Sequence, residues 1–153
     1  MIEVVLLGKP VAKGRPRFNQ KTGVAYTPEK TRTYEQLLRL AAVDAMAGRP
    51  PLEGPLELDM RVVVPIPASW PKKKQDAARS GVLLPTGKPD NDNFHKVVDA
   101  GNLVLWVDDG QIVKSTVLKT YGDRPMMRIR VGPFVDFDGL QPHDTTDNPE
   151  IFS

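Results

Sequence analysis

Leu56-Glu57-Leu58-Asp59-Met60-Arg61-Val62-Val63-Val64 places Leu56, Leu58, Met60, Val62 and Val64 on one side and Glu57, Asp59 and Arg61 on the other. That period of two is the pattern of a half-buried β-strand. Pro65 and Pro67 stop it, since proline has no N–H to give to a ladder. Upstream, Thr27-Pro28 reads as an N-cap followed by proline at the first helical position. Residues to about Ala47 then form a helix with Tyr34, Leu37, Leu38, Ala41 and Ala45 on one face, ended by Gly48-Arg49-Pro50-Pro51. Met1 to Leu7 reads as a first strand. Downstream, KKKQDAAR after Ser69-Trp70-Pro71 is a short basic surface helix closed by Gly81. A turn-rich Pro85-Thr86-Gly87-Lys88-Pro89 leads into a helix running to about Leu103, capped by Asp90 or Asp92. Residues 111–121 and 125–131 read as an antiparallel hairpin turning at Gly122-Asp123-Arg124, with Val113, Val117, Ile129 and Val131 in the core. Strand, helix, strand, helix, hairpin is not a regular βαβ alternation. The expected class is therefore α+β, a mixed or antiparallel β-sheet with flanking helices.

The chain has 153 residues, enough for one domain with a real core. Its 40% apolar and 26% charged residues and mean hydropathy of −0.33 fit a globular protein, and no apolar run is long enough to span a bilayer. The N-terminus has neither the basic leader nor the small-residue cleavage site of a signal peptide. With no cysteine, disulfides and thiolate metal sites are excluded and a reducing compartment is expected. His95 and His143 are too few for a histidine-built zinc site, which leaves carboxylates as the metal ligands available. The formal net charge of +2 hides an uneven distribution. Beyond Pro133 come Asp136, Asp138, Asp144, Asp147 and Glu150 with no lysine or arginine, so residues 1–133 carry 21 positive and 14 negative charges, a net +7. The expected organisation is one domain over residues 1–133 and an acidic, flexible tail over 134–153.

Two charge clusters stand out. Lys9, Lys13, Arg15, Arg17 and Lys21 lie within thirteen residues that hold no acid, and Pro10, Gly14, Pro16 and Gly23 mark the segment as loop. Asp90, Asp92, Asp99, Asp108 and Asp109 lie within twenty residues. Crowded carboxylates repel unless a cation sits among them, and hard oxygen ligands suit magnesium or manganese. On spacing alone the alternative stands equally: Asp90 and Asp92 as turn and cap residues, Asp108-Asp109-Gly110 as a turn. An EF-hand is rejected, because counting from Asp90 its fifth, sixth and twelfth positions are Phe94, His95 and Gly101. In a helix begun by Asp92, Lys96 and Asp99 share one face with it, so that a lysine projects beside the acids, as a site cation or as an i,i+4 ion pair.

Lys88-Pro89-Asp90-Asn91-Asp92-Asn93-Phe94-His95-Lys96, then Asp99-Ala100, then Trp106-Val107-Asp108-Asp109-Gly110-Gln111-Ile112, resembles the signature of the RusA-type Holliday junction resolvases, endonucleases common in phages and prophages. Gly8-Lys9-Pro10-Val11-Ala12-Lys13-Gly14-Arg15-Pro16-Arg17 is similar to that family's basic N-terminal segment. The resemblance spans about residues 1–132. It implies a RusA-like homodimer with a mixed sheet, two active sites, and magnesium-dependent paired symmetric nicking of four-way DNA junctions in recombination and repair, leaving a 5′-phosphate and a 3′-hydroxyl. It implies that Asp90, Asp92 and Asp109 bind Mg²⁺, with Mn²⁺ as a substitute, and that Lys96 is the essential lysine, stabilising the transition state or protonating the leaving oxygen. A cytoplasmic location in a bacterial cell is implied as well. Only Val97 and Val98 separate Lys96 from Asp99, about one residue fewer than the family pattern. This leaves open the part played by Asp99 as an additional acid and the choice between Asp108 and Asp109. Lys9, Lys13, Arg15, Arg17 and Lys21 are then expected to contact DNA phosphates, Arg15 and Arg17 most strongly because guanidinium engages two oxygens. Phe18, Tyr26 and Trp70 either stack on opened bases or are ordinary packed or surface aromatics, the latter being favoured. Two other classes are carried beside this one. One is a non-catalytic branched-DNA-binding module; the other is a metal-dependent phosphohydrolase acting on RNA or nucleotides.

Overall fold

The structure, a computed structural model, describes residues 1–26 and 28–135. The expected N-cap Thr27 and the acidic tail from residue 136 onward lie outside the described residues. The chain runs through β1 (Ile2–Leu7), β2 (Arg17–Phe18), β3 (Ala25–Tyr26), α1 (Glu29–Met46), β4 (Leu56–Pro65), α2 (Lys72–Arg79) and α3 (Asn91–His95). Two 3₁₀ segments follow, Lys96–Gly101 and Asp109–Gln111, then β5 (Ile112–Gly122) and β6 (Met126–Pro133). The class is α+β with a mixed sheet, as the element order predicts. The main sheet has the order β1-β6-β4-β5, parallel between β4 and β5 and antiparallel elsewhere.

β4 lies inside the sheet, and its apolar row Leu56, Leu58, Met60 and Val62 is buried. It joins Ile2 and Val4 of β1, Met127, Ile129 and Val131 of β6, and the buried stripe of α1 in one core. That stripe is Tyr34, Leu38, Ala42 and Met46, an i,i+4 ridge. It is rotated from the expected face: Leu37, about 100° around the helix from Leu38, is 48% exposed. The helix ends in left-handed backbone at Ala47 and Gly48, the latter at φ 80°.

The expected β5–β6 hairpin is overturned. β4 is inserted between the two strands, so Met60 faces Val117 on one side and Ile129 on the other. Asp123, Arg124 and Pro125 hop over the end of β4. Four Cα steps of about 3.8 Å reach about 15 Å, and strands two apart are separated by about 10 Å. A three-residue turn therefore serves a tight hairpin and a hop across one strand equally well, which is why local sequence did not separate them. Val113, expected in the core, is 59% exposed. It is the extra residue in the register shift between the Leu56–Ile112 and Glu57–Lys114 pairs, on the outermost strand.

The helix expected to reach Leu103 is also shorter. α3 ends at His95, the backbone tightens to 3₁₀ winding through Gly101, and the chain then wraps around Trp106, which is fully buried. A Cβ at Gly101 would sit 2.8 Å from Trp106 Cζ2. Only glycine lets the backbone approach the indole so closely. Gly101→Ala is expected to cost about 1–3 kcal/mol by overpacking, read as a lower urea midpoint at unchanged m-value.

Candidate functional site

The basic segment is pinned rather than free. The Lys13 amide donates to Asn93 O at 2.9 Å and the Gly14 amide to Thr31 Oγ1 at 3.0 Å, tying it to α3 and to buried Thr31 of α1. The rest of the segment is not all loop, contrary to expectation: Arg17–Phe18 and Ala25–Tyr26 form a small hairpin with Lys21 in its exposed turn. Lys9, Arg15 and Arg17 line a groove of about 1090 Å³ together with Lys88, Lys119 and Asp90. Phe18 and Tyr26 are exposed, and Trp70 packs edge-on against Tyr121 with its centroid 5.3 Å away.

Asp90 occupies the N-cap position of α3, without a side-chain capping bond. Its loop is clamped by Lys119 of β5, whose Nζ donates to Gly87 O and Pro89 O, each at 3.0 Å, and Asn91 Nδ2 donates to Val117 O at 3.1 Å. Asp92 lies one turn before Lys96, carboxylate to ammonium 3.6 Å. A cavity of about 350 Å³ is lined by Lys96 together with Lys13, His95, Asp99, Asp109 and Ser115. In a 3₁₀ segment, residues i and i+3 eclipse, and the tighter winding keeps Lys96 and Asp99 beside one cavity despite the short interval between them.

The two neighbouring aspartates are told apart by geometry. Asp108 forms a capping box with Gln111. Gln111 also donates to Leu52 O and Gly54 O, each at 3.0 Å, which anchors the turn. Asp109 is left to line the cavity. Asp99 turns toward Lys13, Nζ to Oδ2 2.5 Å, and Lys13 is 3.4 Å from Glu35 Oε1 on α1. Burial pushes the Glu35 carboxyl upward, opposed by Lys13 and reinforced by Asp99. Burial draws the Lys13 ammonium down, but its hydrogen bond to Asp99 and the charges of Glu35 and Asp99 outweigh it, and its pKa is raised.

Glu35, His95 and Ser115 were not singled out from sequence. Glu35 sits in an ordinary helical pattern, and His95 had no partner spacing to mark it. His95 Nε2, Glu35 Oε1 and Asp99 Oδ1 are buried without a hydrogen-bond partner in the described residues.

Among the described residues, no group of three or more His, Asp or Glu lies close enough to hold one metal ion. The donor chemistry nonetheless fits magnesium. That ion keeps several waters and takes one or two carboxylates plus substrate phosphate oxygens, so it does not need a ready-made cage. Among the described residues, the Asp90 and Asp109 carboxylates have no hydrogen-bond or ion-pair partner.

A family model described as "Endodeoxyribonuclease RusA" matches residues 8–132. The chain is also 36% identical over 137 residues to "Uncharacterized protein YqaN" of Bacillus subtilis (strain 168), covering 85% of this chain and 94% of that protein. No helix among the described residues is long and apolar enough to cross a membrane.

Proposed function

The chain belongs to the RusA endodeoxyribonuclease family, and we propose that it is a magnesium-dependent, structure-selective endonuclease resolving four-way DNA junctions by paired symmetric nicks. The observation that carries this reading is the meeting of a cation-lined groove with an acid- and lysine-lined cavity. The groove carries Lys9, Arg15, Arg17, Lys88 and Asp90, the cavity carries Asp109, Asp99 and Lys96, and Lys13 lines both. Phosphate neutralisation along the groove gives affinity without base reading, as structure selectivity requires.

One or two carboxylates of the set Asp90, Asp92 and Asp109 would hold the magnesium together with the substrate phosphate, since among the described residues no three acids are grouped closely enough to do so alone. When bound, the ion supplies activation of the attacking water and neutralisation of the scissile phosphate. The chain's own part is positioning and charge. Lys119 and Asn91 fix the start of α3 against β5, and the Asp108–Gln111 capping box fixes the turn that presents Asp109. Lys96 is 59% exposed and makes two long contacts, to Asp92 at 3.6 Å and to Asn93 Oδ1 at 3.5 Å, so its ammonium can turn to meet negative charge developing on the phosphate or to protonate the leaving oxygen. A homodimer would set two such centres on opposing strands, and the exposed Leu37, Leu40 and Val43 of α1 support self-association.

The test is one assay: an intact four-way junction against linear duplex of the same sequence, with and without magnesium. The expected result is paired, symmetric cutting of the junction in magnesium only. Equal cutting of duplex overturns the structure selectivity, and binding with no cutting in either metal condition favours a non-catalytic module.

A further inference from the structure

Among the described residues, Lys13 is the one that lines both the basic groove and the acidic cavity. Its backbone is fixed by Asn93 O and its neighbour by Thr31. Its side chain leaves the arm to lie between a carboxylate from the 3₁₀ segment, Asp99, and one from α1, Glu35. Each of these carboxylates has a buried oxygen without a hydrogen-bond partner. A buried carboxylate oxygen in that state costs free energy that a nearby fixed cation offsets in part. Glu35 is 21% exposed and stands outside every stretch that resembles the family signature. Two carboxylates aimed at one ammonium are a means of holding that ammonium in one place. The same cavity holds Lys96, so a phosphate passing from the groove toward Asp109 meets two lysines rather than one.

We propose that Lys13 is an active-site cation that contacts the scissile phosphate, and that Glu35 and Asp99 are the positioning residues that hold it there. This rests on the nuclease reading of the same site. It departs from the expectation that Lys13 is one of several interchangeable backbone contacts of the arm. A contact made along the arm adds affinity; one made at the reacting phosphate adds rate, because it strengthens as charge accumulates.

The experiment is cleavage of a four-way junction under single turnover at saturating protein. Junction affinity is measured separately without magnesium, and thermal melting of each full-length variant is recorded alongside. Lys13→Met is expected to cut on the order of 30-fold more slowly, and Glu35→Gln on the order of 10-fold more slowly, with affinities within about 2-fold of wild type and melting temperatures unchanged. Lys13→Arg is expected to recover part of the rate, since it keeps the charge but not the compact ammonium. If Lys13→Met instead weakens binding, lowers the salt slope by about one phosphate, and cuts at the wild-type rate when saturated, the proposal is overturned and Lys13 is an arm contact. Rate losses matched by lower melting temperatures, with no recovery in Lys13→Arg, overturn it as well and assign the trio to stability. A wild-type protein that cuts no DNA overturns the nuclease reading and this proposal together, whereas a wild type that cuts while Glu35→Gln cuts equally well overturns the positioning role alone.

Discussion

Asp92→Asn is expected to bind a four-way junction as well as the wild type and to cut it about 100-fold or more slowly in magnesium. The structure makes this substitution a clean probe. The Asp92 side chain is 71% exposed and among the described residues its one ion pair is with Lys96, at 3.6 Å, so the change removes an exposed i,i+4 pair worth a few tenths of a kcal/mol. Asparagine keeps the size and one carbonyl oxygen, and α3 is held by Asn91 and Phe94 rather than by Asp92. The fold and the groove therefore persist, and removing a negative charge near phosphate does not weaken binding. What is lost is an anionic oxygen donor for a hard cation, which an amide replaces poorly. Rates are read under single turnover and affinity by fluorescence anisotropy without metal. Near-normal cutting would remove Asp92 from the ligand set, and a parallel loss of binding would make it a structural residue.

Trp106→Ala is expected to lower stability by about 3–5 kcal/mol, a fall of about 10–20 °C in melting temperature for a domain of this size. Trp106 is fully buried, its indole Nε1–H donates to Asn102 Oδ1 at 2.8 Å, and its backbone bridges to both Leu52 and Asn102. Truncation leaves a large cavity and a partly buried amide oxygen without its donor, against the 5–15 kcal/mol that a domain typically has in total. Because the residue lies just before the turn that presents Asp109, loss of the indole also loosens the cavity wall. Trp106→Phe, which fills most of the space, is the control expected to recover roughly half of the loss. A fall of only about 1 kcal/mol for Trp106→Ala would mean that the wrap around the indole repacks.

What the sequence made legible follows from how local each signal is. The alternation of Leu56 to Val64 identified a strand with one buried face, and the ordered Asp90, Asp92, Lys96 and Asp109 identified a family whose model matches residues 8–132. The insertion of β4 between β5 and β6 was not legible, because periodicity marks a face and says nothing of which strand lies alongside. Nor was the rotation of the α1 stripe, since Leu37 and Leu38 are both apolar and only packing against the sheet chooses between them. Asp108 and Asp109 are equivalent in sequence and become distinct through Gln111, whose side chain is fixed by Leu52 and Gly54 from far along the chain. Lys13 read as one cation among five. Its separate position follows from Glu35, on a helix whose register sequence alone did not fix.

The placement of β4 also sets when the sheet can assemble. Its partners, Val117 for Met60 and Ile129 for the same residue, arrive only with the last third of the domain, and β1 waits longest, with Ile2 paired to Val131. No ladder of the main sheet joins neighbouring stretches of chain. During synthesis, β1 and β4 must therefore leave the ribosome unpaired and stay so until β5 and β6 emerge, while α1 has only its own helical contacts for support. Such non-local pairing predicts slow folding, in milliseconds to seconds, with collapse of the sheet as a single late event rather than by addition of strands in order.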